Sequence, residues 1–246
     1  MIPLYIQEVA APVCTTMDEE VQALAARLVR RLKEVRATIT IAESCTGGLL
    51  ASTLTDISGA SEWFNQSWVC YSYDSKIREL NVQPELLESK GAVNATVAIQ
   101  MAEGARERSG ADIAISITGI AGPMAENSKK PVGLVYVGIA SAHWANAESV
   151  QMGGTRLENK ISFVHFALQS AIDCWDKAKV RQEDAIAEKK KAAADAAVEM
   201  AKSEAAKARR AAEAAAESPW QDESWQDTGK AIGDDMDVAW QGEPES

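Results

Sequence analysis

Residues 37–42, ATITIA, are β-branched and apolar, and they run directly through Glu-Ser-Cys-Thr-Gly-Gly into LLASTLTDI, where helix-compatible spacing resumes. A buried strand that turns at once into a helix points to a layered fold, and the same alternation recurs along the chain. WVCYSY (68–73), ADIAISIT (111–118), VGLVYVGIAS (132–141) and AESVQMG (147–153) read as strands, with DSKIREL, PELLESK and TVAIQMAEGARERSG as helices among them. From Met17, MDEEVQALAARLVRRLKEV predicts an amphipathic helix with Val21, Leu24, Ala25, Leu28 and Leu32 on one face. Asp18, Glu19 and Glu20 stand at its start, where the helix dipole favours acids. LENKISFVHFALQSAIDCW sets Ile161, Val164, Leu168, Ile172 and Trp175 on one face and closes the domain. The link between the strands at 132–141 and 147–153 is too short for a parallel crossover, so these two form a hairpin. The expected fold is a layered α/β/α domain with a mixed sheet.

Composition divides the chain into four parts. Residues 1–16, with Pro3 and Pro12, read as an N-terminal extension, and 17–176 as the folded domain. Residues 177–217 are alanine with Lys, Arg, Glu and Asp: strong helix formers with too little apolar surface to pack a core, hence a solvated or loosely coiled helix. Residues 218–246 carry eight acids against one lysine, with Trp220, Trp225 and Trp240 and the near-repeat WQDESWQD. This tail is expected to be disordered, either a solubilising extension or an acidic-aromatic motif for a protein partner.

The formal net charge of −11 argues against a general nucleic-acid-binding surface. Cys14, Cys45, Cys70 and Cys174 are widely spaced with no CxxC pair, which fits a reduced cytoplasmic protein better than a disulfide scaffold or a zinc site. The N-terminus lacks a basic region before its apolar run, and no window reaches the length of a membrane span, so a cytoplasmic location away from membranes is expected.

Chemistry is expected at the strand-to-helix junctions, which gather along one rim of such a sheet. His165 lies on or beside the apolar face of the last helix and His143 in the hairpin turn. A Ser-His-Asp arrangement or a histidine-rich metal site is therefore not expected. Ser44 would need another base, and a lysine with a depressed pKa can serve. Lys76 sits at a second junction and Thr118 at a third, in ISITGIAGP. Taken singly, Ser44 could belong to a tight turn, Lys76 could be solvated and Thr118 could be a cap. Gly47 and Gly48 let the backbone approach a ligand, and the N–H groups of the new helix favour an anion or oxyanion.

AESCTGG, the Tyr-Ser and lysine of YSYDSK, then TGIAGP, KPVG and GGTR in this order resemble the C-terminal domain of the CinA (competence-damage-inducible) family over roughly residues 17–176. Free-standing members are nicotinamide-nucleotide amidases. The resemblance implies hydrolysis of nicotinamide mononucleotide to nicotinate mononucleotide and ammonia, with no metal or organic cofactor, by a homo-oligomer. It makes Ser44 the nucleophile and Lys76 its general base, with Tyr71 and Thr118 orienting the lysine and the proton path. Thr46, Gly47 and Gly48 would bind the oxyanion through their N–H groups, Gly119 and Gly122 would line the substrate, and Arg156 would meet the nucleotide phosphate. The pyrophosphatase activity associated with full-length CinA proteins belongs to another domain, for which no room is expected beside this one. The chain departs from the family at MAENSK (124–129), where a glycine-rich stretch is usual, and at Tyr73 and Ser67. The alternative reading is therefore a weakly active or inactive member that works as a binding or scaffold module through its tail.

Overall fold

The computed structural model describes residues 16–123 and 130–216. The readings made of the N-terminal extension, of Cys14, of the loop 124–129 and of the acidic tail lie outside the described residues. The elements run α1 (Thr16–Val35), β1 (Ile39–Glu43), α2 (Leu49–Thr55), β2 (Phe64–Val69), α3 (Tyr73–Leu80), α4 (Pro84–Lys90), α5 (Ala95–Ser109), β3 (Ile113–Gly119), β4 (Leu134–Ser141), β5 (Ala145–Gln151) and α6 (Arg156–Ala216). The sheet has the order β2-β1-β3-β4-β5. β1 pairs parallel with both β2 and β3, whereas β3–β4 and β4–β5 are antiparallel. The mixed α/β architecture expected from the sequence is the one observed.

Strand periodicity explains the two layers of helices. Ile39 and Ile41 of β1 and Ile115 and Ile117 of β3 point to one face, where they pack with Leu28 and Leu32 of α1, Leu50 and Leu54 of α2, and Phe163, Val164 and Leu168 of α6. Ala42, Ala114 and Ala140 point to the other face, against Val97, Met101 and Ala105 of α5 with Leu80 and Leu87. Each fully buried isoleucine stabilises the fold by roughly 1.5–3 kcal/mol, and two such residues anchor each of β1 and β3, whose C-terminal ends carry Ser44 and Thr118.

Small residues on the second face let α5 lie close to the sheet. Ser116 donates its hydroxyl to the Ala98 carbonyl at 2.5 Å, and a Cβ at Gly138 would lie 2.2 Å from that same carbonyl oxygen. Gly138→Ala is therefore expected to push α5 off the sheet and cost about 2–3 kcal/mol, read as a lower urea midpoint at an unchanged slope.

Two elements differ from expectation. The second strand is Phe64–Val69 rather than 68–73. The Cys70 N–H still reaches the Glu43 carbonyl at 2.8 Å, but Ser72 then caps α3 by accepting from the Ser75 N–H at 3.1 Å, so the tyrosine-rich stretch turns into a helix. His165, whose place on the last helix pointed to a core histidine rather than a catalytic one, is half-buried, with its ring 3.8 Å from the Glu20 carboxylate. The chain divides into two units, one ending at Asp184 and the other beginning at Ala185. In the second unit every described residue is exposed, and pairs such as Arg209–Glu213 (2.9 Å) support the helix.

Candidate active site

The first two junctions meet at a hydrogen bond. Lys76 lies in the second turn of α3 and is fully buried, and its Nζ is 3.1 Å from Ser44 Oγ. Ser44 leaves the end of β1 with its N–H donated to the Ile117 carbonyl of β3 at 3.0 Å, so the sheet itself positions the serine. The Lys76 amine also donates to the carbonyls of Cys70 at 2.6 Å and Tyr71 at 3.2 Å. A neutral amine has two N–H donors and one lone pair. With both donors taken by carbonyls, the lone pair faces the Ser44 hydroxyl.

Burial shifts the lysine towards that neutral form. Burial pushes the Lys76 amine down from the ordinary lysine value to about 8, and among the described residues no carboxylate pairs with it. The Cys45 thiol, next to the serine in sequence, is pushed up to about 12 by burial and stays protonated at neutral pH. Of the two adjacent nucleophiles, only the serine has a base at hand.

Sequence reasoning did not single out Glu43. It is fully buried, and its carboxylate accepts from the N–H groups of Gly48 (3.0 Å), Leu50 (3.2 Å) and Ala51 (2.8 Å). The anion expected at the start of α2 is thus this side chain. A charged residue at the end of an otherwise apolar strand, five residues ahead of a glycine that opens a helix, was the available signal. The Gly47 N–H is likewise committed, to the Ser44 carbonyl at 3.1 Å. Of the expected oxyanion donors Thr46, Gly47 and Gly48, the two glycines are therefore occupied. The N–H groups of Cys45 and Thr46 have no acceptor outside their own residues among the described ones.

A cleft of about 650 Å³ opens over the pair, lined by Ser44, Cys45, Tyr71, Lys76, Thr118 and Gly119 together with Tyr73, residues 88–93, Ile120 and Lys130. That volume lies within the usual range for small-molecule sites. Thr118 donates its hydroxyl to the Ala92 carbonyl at 2.9 Å and is not among the hydrogen-bond partners of Lys76. Tyr71 meets the lysine through its main-chain carbonyl, while its exposed phenol accepts from Arg156 Nη2 at 2.8 Å. Arg156 also donates to the Gly122 carbonyl. Thr46, Gly47, Gly48, Gly122 and Arg156 lie outside the cleft wall, although Arg156 is tied to it through Tyr71. Lys130 bridges the carbonyls of Lys90 and Val93 beside the cleft. Among the described residues no group of three or more His, Cys, Asp or Glu side chains could hold a metal ion, and no helix is long and apolar enough to cross a membrane.

Comparison with known proteins places this arrangement. A CinA-like protein of Chlorobium limicola is 46% identical over 162 residues, which cover 64% of this chain and 36% of that protein. One of Chlorobaculum tepidum is 48% identical over 150 residues, covering 59% and 36%. The chain thus spans little more than a third of the length of these curated relatives. The crystal structure of the competence/damage-inducible protein CihA from Agrobacterium tumefaciens superposes with a TM-score of 0.61 at 36% identity, over 63% of this chain and 94% of that one. A CinA superfamily protein from Escherichia coli gives a TM-score of 0.61 at 31% identity, over 63% and 91%. The family model of the CinA C-terminal domain matches residues 21–175, the stretch that holds the cleft, and the chain belongs to that family.

Proposed function

We propose that the protein hydrolyses the carboxamide of nicotinamide mononucleotide, giving nicotinate mononucleotide and ammonia through an acyl-enzyme on Ser44. The observation that carries this reading is the buried Lys76 amine, 3.1 Å from Ser44 Oγ, with two carbonyls holding its other hydrogen-bonding directions. Ser44 Oγ attacks the carboxamide carbon while Lys76 Nζ takes the hydroxyl proton. The N–H of Cys45, the residue next to the serine that lines the cleft, is the donor available to the oxyanion. Collapse of the tetrahedral adduct breaks the carbon–nitrogen bond, and Lys76 returns the proton to the departing nitrogen. Water, deprotonated by the same amine, then attacks the ester and restores Ser44. The pyridine nucleotide as substrate is supported by the family resemblance and by the dimensions of the cleft. Arg156, held at Tyr71, offers the planar fork of donors that suits a phosphate.

The test is chromatographic: purified protein is incubated with nicotinamide mononucleotide and the products are separated. Nicotinate mononucleotide and ammonia in equal amounts are expected. Recovery of unchanged substrate from folded protein would overturn the assignment.

A further inference from the structure

We propose that Glu43 is a positioning residue for the nucleophile, acting as an internal anion that sets the loop from Ser44 to Gly48. The proposal rests on the reading of Ser44 as the reacting group. A solvated N-cap would bind one or two helix N–H groups with a short side chain at the helix boundary. Glu43 instead reaches forward from the last position of β1, fully buried, and takes three N–H groups with both carboxylate oxygens: Gly48 and Leu50 on Oε2, Ala51 on Oε1. The five-residue turn between is thereby clamped at both ends. At one end the Ser44 N–H is fixed to the Ile117 carbonyl; at the other Gly48, at a φ of 94°, is fixed to the carboxylate. Between them the Gly47 N–H closes back on the Ser44 carbonyl. The turn therefore has little freedom, and Ser44 Oγ is held where Lys76 can reach it. With the α2 donors committed to Glu43, the helix end is closed to the oxyanion, and of the turn residues after Ser44 it is Cys45 that lines the cleft. Glu43 does not line the cleft and is not among the hydrogen-bond partners of Lys76, so its effect passes through the backbone of Ser44.

Glu43→Gln keeps the size but presents one acceptor oxygen, and its amide group opposes a main-chain donor. The experiment measures the rate at which a fluorophosphonate probe labels Ser44, per folded molecule, alongside kcat and KM for nicotinamide mononucleotide. Glu43→Gln is expected to label on the order of 10²-fold more slowly, as a nucleophile displaced by about 1 Å does. It should lower kcat by the same factor, leave KM unchanged, and leave the apparent pKa of the rate profile where Lys76 sets it. If Glu43→Gln does not fold, Glu43→Asp, whose shorter carboxylate keeps the charge but cannot span all three donors, is read in the same way. Labelling at the wild-type rate would overturn the proposal. Labelling that slows while neither protein hydrolyses the mononucleotide would support the positioning role and overturn the substrate assignment alone. A wild type that does not label at Ser44 would overturn both.

Discussion

Ser44→Ala is expected to lower carboxamide hydrolysis by about 10⁴–10⁶-fold, because in the proposed mechanism the serine oxygen forms the covalent intermediate, and removal of a nucleophile forfeits nearly all of a dyad's contribution. The fold should be unaffected. The bond from the residue 44 N–H to Ile117 is a main-chain interaction that alanine retains, and the Lys76 amine keeps its carbonyl acceptors on Cys70 and Tyr71. Nor does Cys45 rescue the variant, since burial holds its thiol at about 12 and it remains protonated at neutral pH. The comparison is of single-turnover rates at matched thermal midpoints. A variant that retained more than about a hundredth of the wild-type rate would assign the nucleophile elsewhere.

Lys76→Met carries the second large effect, a loss of about 10²–10⁴-fold in kcat, the range expected when a general base is removed. The pH dependence gives a sharper signature than the loss itself. As the proposed general base Lys76 works as the neutral amine, and burial has brought its pKa to about 8. Above that pH the amine is mostly neutral and the rate should reach a plateau. Below it the neutral fraction, and with it kcat/KM, should fall about tenfold for each pH unit. A lysine left at its ordinary value would place the rise more than two units higher. Lys76→Arg should not restore activity at any accessible pH, because the guanidinium stays protonated and its planar fork does not fit a site built around one nitrogen. A rate that is flat between pH 6 and 9 would remove Lys76 from the base role.

Much of the fold was legible because its signals are local. The run of Ile39 to Ala42, the short link between β4 and β5, and the apolar stripe of α1 each depend on residues within a few positions of one another. They correctly implied the strand, the hairpin and the packed helix face. The second strand was misplaced because Tyr71 and Tyr73 have high β propensity, whereas Ser72 caps a helix and outweighs them. At the site, Ser44 and Lys76 were suggested by their positions at junctions, yet their approach to 3.1 Å depends on the parallel pairing of β1 with β2, which no short window encodes. Glu43 was overlooked for the same reason. A lone acid at a strand end looks solvated until the strand is known to be central and the helix after it is known to turn its N–H groups back upon it. Tyr71 meets the lysine through its main-chain oxygen, a contact that residue identity does not reveal.

The most direct test of the proposed Ser44–Lys76 amidase activity is ammonia release from nicotinamide mononucleotide, measured for the wild type beside Ser44→Ala and Lys76→Met under identical conditions. Release by the wild type that rises with pH through a midpoint near 8, and that falls by about 10⁴–10⁶-fold in Ser44→Ala and about 10²–10⁴-fold in Lys76→Met, is the predicted result. Release that persists in Ser44→Ala, or its absence from the folded wild type across that range, would contradict it.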